Sequence, residues 1–391
     1  MCIASPMDIT VIENTSQLKA LCEALSKSDY ITVDTEFRRQ TTYWPELCLI
    51  QVAGKKDAAI IDALAPGIDL SPFYALLADE SVLKVLHAGR QDVEIFHHEA
   101  GVIPAPLFDT QVAAMVCGFG ESVGYETLAA KLARAKVDKT ARFTDWTHRP
   151  LSQKQLAYAL GDVTHLRKIY EVLRDQLAAS GRSSWLGEEL GILTDPNTYE
   201  VDPREVWKRM KTRSSSRRFL GVLREMAAWR ETLAQARNVP RSRIMRDDML
   251  LQIAAQAPES AEDLGRIRGL GNGFPASRDG KSLLEAIETA RTMPTEALPE
   301  ARQIMAPGRV NPSLVDLLRV LLKMKSEDHG VAQKLIAGSD DLDLLAAGSA
   351  DGNPVLTGWR YEVFGADAER LLRGELALSV ENEHTVLRRT Q

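Results

Sequence analysis

Cysteine is scarce in this 391-residue chain: Cys2, Cys22, Cys48 and Cys117 lie far apart and form no C-x-x-C pair. That spacing offers neither a thiolate zinc site nor a disulfide framework, and it suits a reduced, cytoplasmic compartment. Long hydrophobic runs are missing too. The longest uncharged stretch, 110–120, has 11 residues, whereas spanning a bilayer takes about 20. The opening MCIASPMDIT has neither the basic nor the apolar region of a signal peptide. Net positive charge is also absent: 48 Lys and Arg face 54 Asp and Glu, a formal −6. Contact with nucleic acid must therefore come from local patches or bound metal, not from a whole-protein field. Nucleotide-binding loops fail on their glycines. Gly280-Lys281-Ser282 ends like a P-loop, but Pro275 stands where that loop needs glycine. Gly269-x-Gly271-x-Gly273 misplaces the third glycine of the dinucleotide fingerprint.

What is present is ordinary globular material, 45% apolar and 26% charged, enough for two or three domains. YITVDTEF, LCLIQVAG, AAIIDAL and VLKVLHAG are rich in Val, Ile and Leu and predict strands. Helical patterns at 15–28 and 71–80 alternate with them, which predicts an α/β domain with helices over a sheet. From 110 to 180 the pattern is nearly all helical. Its last helix starts at Ser152, with a capping box to Gln155. Residues 181–205 mix Gly, Pro, Asp and Asn and read as a linker. Two helical modules follow. Within 201–250, thirteen basic residues face six acidic ones, a net of +7, which leaves −13 for the rest. Such a split suggests phosphate attraction in one part and cation binding in another, although a solvated helix surface has the same composition.

Three acidic motifs carry the chemistry. In VDTEF, Asp34 and Glu36 are two apart on a strand, so both carboxylates face the same side, with Val33 and Thr35 opposite. Their repulsion calls for a cation, and all-oxygen ligands suit Mg²⁺ or Mn²⁺. In LHAGRQDVEIF, Asp92 lies in the first turn of a helix, where the dipole favours an anion. In QLAYALGDV, Tyr158 and Asp162 are i and i+4 on a helix face. Each motif alone reads more readily as a solvated pair, a capping acid or a half-buried tyrosine. Together they supply what two-metal phosphodiester cleavage needs, several carboxylates on two cations with a hydroxyl to orient the attacking water.

The order and spacing of these motifs, with FDTQVAA, GYETLA and TDWTHRPLSQKQLAYA between them, closely resemble the ribonuclease D family of DEDD exonucleases, in its tyrosine subclass. The resemblance covers about 8–180. It implies a ribonuclease H-like α/β fold. It implies Asp34, Glu36, Asp92 and Asp162 as ligands of two divalent metal ions, Mg²⁺ or Mn²⁺, and Tyr158 as the residue that positions water. It also suggests Phe37 against a terminal base, and Lys139, Trp146 and Arg149 near phosphate or the terminal nucleotide. Asp109 and His87 read as structural.

The sequence from Phe219 to Leu270, with Trp229-Arg230, Arg237-Asn238-Val239-Pro240 and Ile267-Arg268-Gly269-Leu270, resembles an HRDC domain. The tail from about 310 looks like a second, divergent HRDC-like unit. The expected organisation is thus an exonuclease domain with linker at 1–200 and all-α bundles at 205–297 and 308–391. The expected activity is metal-dependent 3′→5′ trimming of structured RNA such as tRNA precursors, releasing nucleoside 5′-monophosphates, by a monomer with no membrane partner. Two alternatives are a DNA exonuclease of the same superfamily and a non-catalytic RNA-binding protein. The absence of a following polymerase sequence disfavours the first, and the intact five-residue acid and tyrosine set disfavours the second.

Overall fold

The computed structural model describes residues 9–212, 214–300, 310–349 and 352–390; Cys2 and Arg213, named or counted above, lie outside them. The described residues form two compact units. The first holds 9–36, 47–198 and the described part of 306–391. The second holds 37–46 and the described part of 199–305.

The first unit is α/β. Six strands run β1 (Val11–Ile12), β2 (Tyr30–Arg38), β3 (Glu46–Ala53), β4 (Ala58–Asp62), β5 (Leu83–Leu86) and β6 (Leu107–Asp109), in the sheet order β1-β4-β3-β2-β5-β6. β2, β5 and β6 are parallel neighbours, β1 is parallel to β4, and β3 pairs antiparallel with β4. The central strands are near-continuous apolar runs because helices cover them. Helices α1 (Thr15–Leu25), α2 (Ser71–Ala78), α3 (Arg90–Ala100) and α4 (Thr110–Val116) follow strands, and the 28-residue helix Gln153–Ser180 closes the unit. The capping box at Ser152 is formed as the sequence predicts. β1 and β6, two and three residues long, carry too little periodicity to be read in advance.

Three expectations need correction. The stretch 181–205 is not a linker throughout: Ser183–Thr194 is a helix that buries Leu186 and Leu190 in the core. The tail is not all-α, because Leu376–Glu381 and His384–Arg389 form an antiparallel hairpin, β7 and β8. Its turn residues Asn382 and Glu383 both have positive φ, which two-residue hairpin turns demand. Nor does 308–391 stand as a unit of its own. Val315, Leu318, Ile336, Trp359 and Phe364 share one hydrophobic core with Leu166, Leu173 and Leu186. Trp185 stacks on Trp359 at 4.6 Å, and the Ala332 amide donates to the Met115 carbonyl at 3.1 Å. Gly118, at φ +79°, has the Gly330 carbonyl against the place where a Cβ would stand, so this junction accepts only glycine.

The second unit is helical. Arg217–Ala236, Asp247–Gln256 and Arg278–Thr292 pack around Leu223, Met226, Ile253, Leu264 and Ile287. Among the described residues no helix is long and apolar enough to cross a membrane.

Candidate active site

β2 sets the first two acids. Val33 and Thr35 are buried, while Asp34 and Glu36 alternate with them and are only partly covered. Asp162 joins from the helix Gln153–Ser180, which crosses the same side. One carboxylate oxygen from each of Asp34, Glu36 and Asp162 lies within 4.8 Å of the others. Tyr158 lies one turn before Asp162, close enough for its phenol to favour the ionised form of that carboxylate. Trp146 is buried 6.1 Å from the Tyr158 ring, in a cluster with Leu156, Ala159 and Val163.

Asp92 is not among the three converging carboxylates. It is buried at the start of α3, and its oxygen accepts from the Thr35 hydroxyl. It is still close enough for its charge to act on Asp34 and Glu36. A tight turn brings it there. Ala88 is left-handed at φ +55°, and a Cβ on Gly89 would meet the Leu86 side chain at 2.5 Å. Asp109 locks this turn by accepting from the amides of Ala88 and Gly89, and from Gln111 and Val112 at the start of α4. His87 is equally structural. Thr110 gives its hydroxyl proton to the Leu86 carbonyl and so accepts from His87 Nδ1 at 3.0 Å. Burial keeps this imidazole neutral, outweighing the pull of Asp109.

The electrostatics are those of an uncompensated acid cluster. Burial first, then Asp92, Asp162 and Glu36, push the Asp34 carboxyl well above its ordinary range. Burial, then Asp162 and Asp92, raise Glu36 to about 9, with Arg142 opposing. Burial lifts Asp162 to about 7 against the opposing influence of Tyr158 and Arg142, and lifts Asp92 to about 6. Burial and the neighbouring carboxylates likewise raise Tyr158, so it stays a neutral phenol. Carboxylates held close, half-desolvated and joined by one tyrosine suit a hard divalent cation with all-oxygen ligands.

The four candidates for substrate contact fare differently. Phe37 is half-buried at the exposed end of β2. Lys139 is ion-paired to Glu126. Trp146 packs beneath Tyr158, as described. Arg149 has other partners: its guanidinium forks onto Asp62 with two 2.6 Å bonds and also donates to the Trp146 and Cys48 carbonyls. Motif reading passed over two residues in the same loop. Arg142 is the cation felt by Glu36 and Asp162. Its guanidinium lies 5.3 Å from the Phe143 ring centre, and that ring is 89% exposed. The pair Arg-Phe in an irregular loop was the available signal, but only the fold shows which way the loop turns.

A mixed sheet with an Asp-x-Glu strand, a helix-start Asp and a Tyr-x-x-x-Asp helix defines a 3′→5′ exonuclease of the DEDD class. Residues 9–178 match the 3′-5′ exonuclease family, and 219–287 match the HRDC domain. The chain is 51% identical to ribonuclease D of Granulibacter bethesdensis, across 97% of this chain and 96% of that one. It is 50% identical to ribonuclease D of Jannaschia, across 95% and 97% respectively. The crystal structure of Escherichia coli RNase D, an exoribonuclease involved in structured RNA processing, superposes with a TM-score of 0.80 at 30% identity, covering 94% of this chain and 99% of that one. The chain belongs to the ribonuclease D family and is a 3′→5′ exoribonuclease with an HRDC domain.

Proposed function

We propose that the protein trims the 3′ ends of structured RNAs such as tRNA precursors, releasing nucleoside 5′-monophosphates, with two divalent ions, Mg²⁺ or Mn²⁺, held by Asp34, Glu36, Asp92 and Asp162. The observation that carries this reading is the convergence of Asp34, Glu36 and Asp162 within 4.8 Å, with Tyr158 one helical turn from Asp162. Bound cations would activate water and stabilise the leaving 3′ oxygen. Tyr158 orients that water. With its pKa raised by burial and the neighbouring carboxylates it is a neutral phenol, so it positions the water rather than deprotonating it.

Arg142 is the charge available to a phosphate beside the acids, and the exposed Phe143 ring offers a stacking face to a base. Phe37 and Lys139 flank the same reading, whereas Arg149 is assigned to holding Asp62. The basic HRDC helices would attract the RNA backbone by charge. We read the helices within 312–372 as a divergent second HRDC-like unit, with the hairpin β7–β8 as its addition. We also read the protein as a cytoplasmic monomer, in line with the buried free thiols Cys22 and Cys48.

The test is incubation of 3′-labelled and 5′-labelled tRNA precursor, and of single-stranded DNA, with Mg²⁺ and with EDTA. The 3′ label should leave at once as mononucleotide and the 5′ label should shorten stepwise, both only with metal and with RNA preferred. Full activity in excess EDTA, or internal fragments at early times, contradicts the reading.

A further inference from the structure

The segment between β2 and β3 does not cluster with the sheet its own strands build. Residues 37–46 belong to the compact unit made otherwise of the helical residues 199–305. Side chains from the helical residues hold the tip of this connection. Asn238 Oδ1 accepts from two consecutive backbone amides, Tyr43 at 3.0 Å and Trp44 at 2.9 Å. The Tyr43 ring is buried, lies 5.2 Å from the Arg241 guanidinium and meets Trp44 edge-on at 4.7 Å. Its hydroxyl donates to Glu231 and accepts from Gln235 and Arg241, each at 3.2 Å. Glu231, with no exposed surface, is closed in turn by two bonds from Arg241.

Asn238 is suited to this work. It follows the helix Arg217–Ala236 in the left-handed conformation, φ +49°, which Asn tolerates better than most residues. Its amide oxygen does for the tip what a capping side chain does for a helix: it accepts from two consecutive amides that lie outside the strands.

Glu36 is the residue immediately before this held segment. Its strand is weakly supported on the other side, because the register of β2 with β5 covers only Tyr30, Ile31 and Thr32. The half of β2 that carries Asp34 and Glu36 runs beyond that pairing. On its other side β2 neighbours β3. Across the base of the tip, Arg38 donates to Glu46 at 2.9 Å through Nε.

We infer that the HRDC-containing unit is a positioning part of the nuclease, and that Asn238, through the backbone of Tyr43 and Trp44, fixes the outer end of β2 and with it the Glu36 carboxylate. This rests on Glu36 being a metal ligand. It goes beyond the usual task of such a helical module, which is to hold RNA, because the clamp acts on the protein's own acidic strand. Asn238, Glu231 and Tyr43 are thus positioning residues and touch no substrate.

A substrate too short for the basic helices separates the two roles. Full-length wild type, Asn238→Leu and Asn238→Asp are compared on a 5′-labelled RNA dinucleotide across a Mn²⁺ titration, with circular dichroism to confirm folding. Asn238→Leu should lower kcat about tenfold or more, the scale of a group displaced by a fraction of an ångström. The Mn²⁺ requirement should rise, and KM for the dinucleotide should change little. Asn238→Asp keeps the acceptor and the left-handed backbone, and should return kcat to within about twofold of wild type. If Asn238→Leu does not fold, Tyr43→Phe serves instead, with a smaller kcat loss of roughly threefold. A folded Asn238→Leu with wild-type kcat and Mn²⁺ requirement overturns the inference, as does an Asp variant no better than Leu. A wild-type chain inactive on both the dinucleotide and a tRNA precursor overturns the nuclease reading itself, and the inference with it.

Discussion

Two buried carboxylates, Glu36 in the α/β unit and Glu231 in the helical unit, show how differently the two parts use charge. Glu231 has no exposed surface, yet two bonds from Arg241 and one from Tyr43 satisfy it. Burial pushes its pKa up, but these partners outweigh burial and hold it below the usual range. Glu36 is less buried and has only Arg142 to oppose burial and two neighbouring acids, so it rises to about 9. A satisfied charge of the first kind stiffens a fold. An unsatisfied cluster of the second kind costs stability, and the fold keeps it where a cation can occupy it.

The largest expected effect that separates the two is on turnover. With Asp34 as a ligand, as proposed, Asp34→Asn removes the charge that holds a cation and the several kcal/mol of stabilisation that cation would supply, so kcat should fall by about 10⁴-fold or more. Loss of less than tenfold would take Asp34 out of the metal site. Tyr158→Phe removes only a hydroxyl. Metal binding should survive because the four carboxylates remain, while kcat falls by about 10²–10⁴-fold. If Tyr158 only packed the helix against Trp146, the retained ring would leave kcat near wild type.

Next in size is the pH dependence of metal binding. The cluster's raised pKa values mean that Glu36, at about 9, and Asp162, at about 7, still carry protons near neutrality and must shed them to bind a cation. Mg²⁺ affinity, read by calorimetry, should therefore rise between pH 6 and 8, by up to about tenfold per pH unit for each proton displaced. A flat profile would mean the carboxylates are already ionised. The smallest effect falls on the satisfied side. Glu231→Gln keeps the shape and loses the charge, and should destabilise the helical unit by about 1–2 kcal/mol in urea unfolding. A variant as stable as wild type would mean the Glu231–Arg241–Tyr43 network adds nothing net.

What was legible in the sequence follows the same division. Local geometry placed Asp34, Glu36, Tyr158 and Asp162, because periods of 2 and 3.6 fix which side chains share a face. It also gave the long helix and its capping box. Properties set by distant residues were hidden. Arg149 reads as a phosphate contact until Asp62, 87 residues away, is seen to hold it. Thr35 was placed on the face away from Asp34, but nothing local shows that its hydroxyl reaches Asp92. The helix at 183–194 was masked by its Gly and Ser content, and the hairpin at 376–389 by a run, LALSV, that suits a helix as well as a strand. Composition marked 201–250 as a basic body, but nothing in it showed that Asn238 holds the chain at Tyr43.

On the proposed site, the acidic cluster is unstable by itself and made good by a cation. Acids with raised pKa values in the folded state contribute stability that is full below their unfolded values near 4 and is lost as the pH rises toward the folded values. At pH 8, metal-free wild type should therefore unfold at a lower temperature than metal-free Asp34→Asn, by about 2–4 °C for each kcal/mol of repulsion relieved. The decisive measurement is the unfolding midpoint of both proteins at pH 8, in EDTA and in saturating Mn²⁺. The Asp34→Asn variant should be the more stable of the two without metal, and the order should reverse with Mn²⁺, because only wild type keeps all four carboxylates. The same order in both conditions would contradict it.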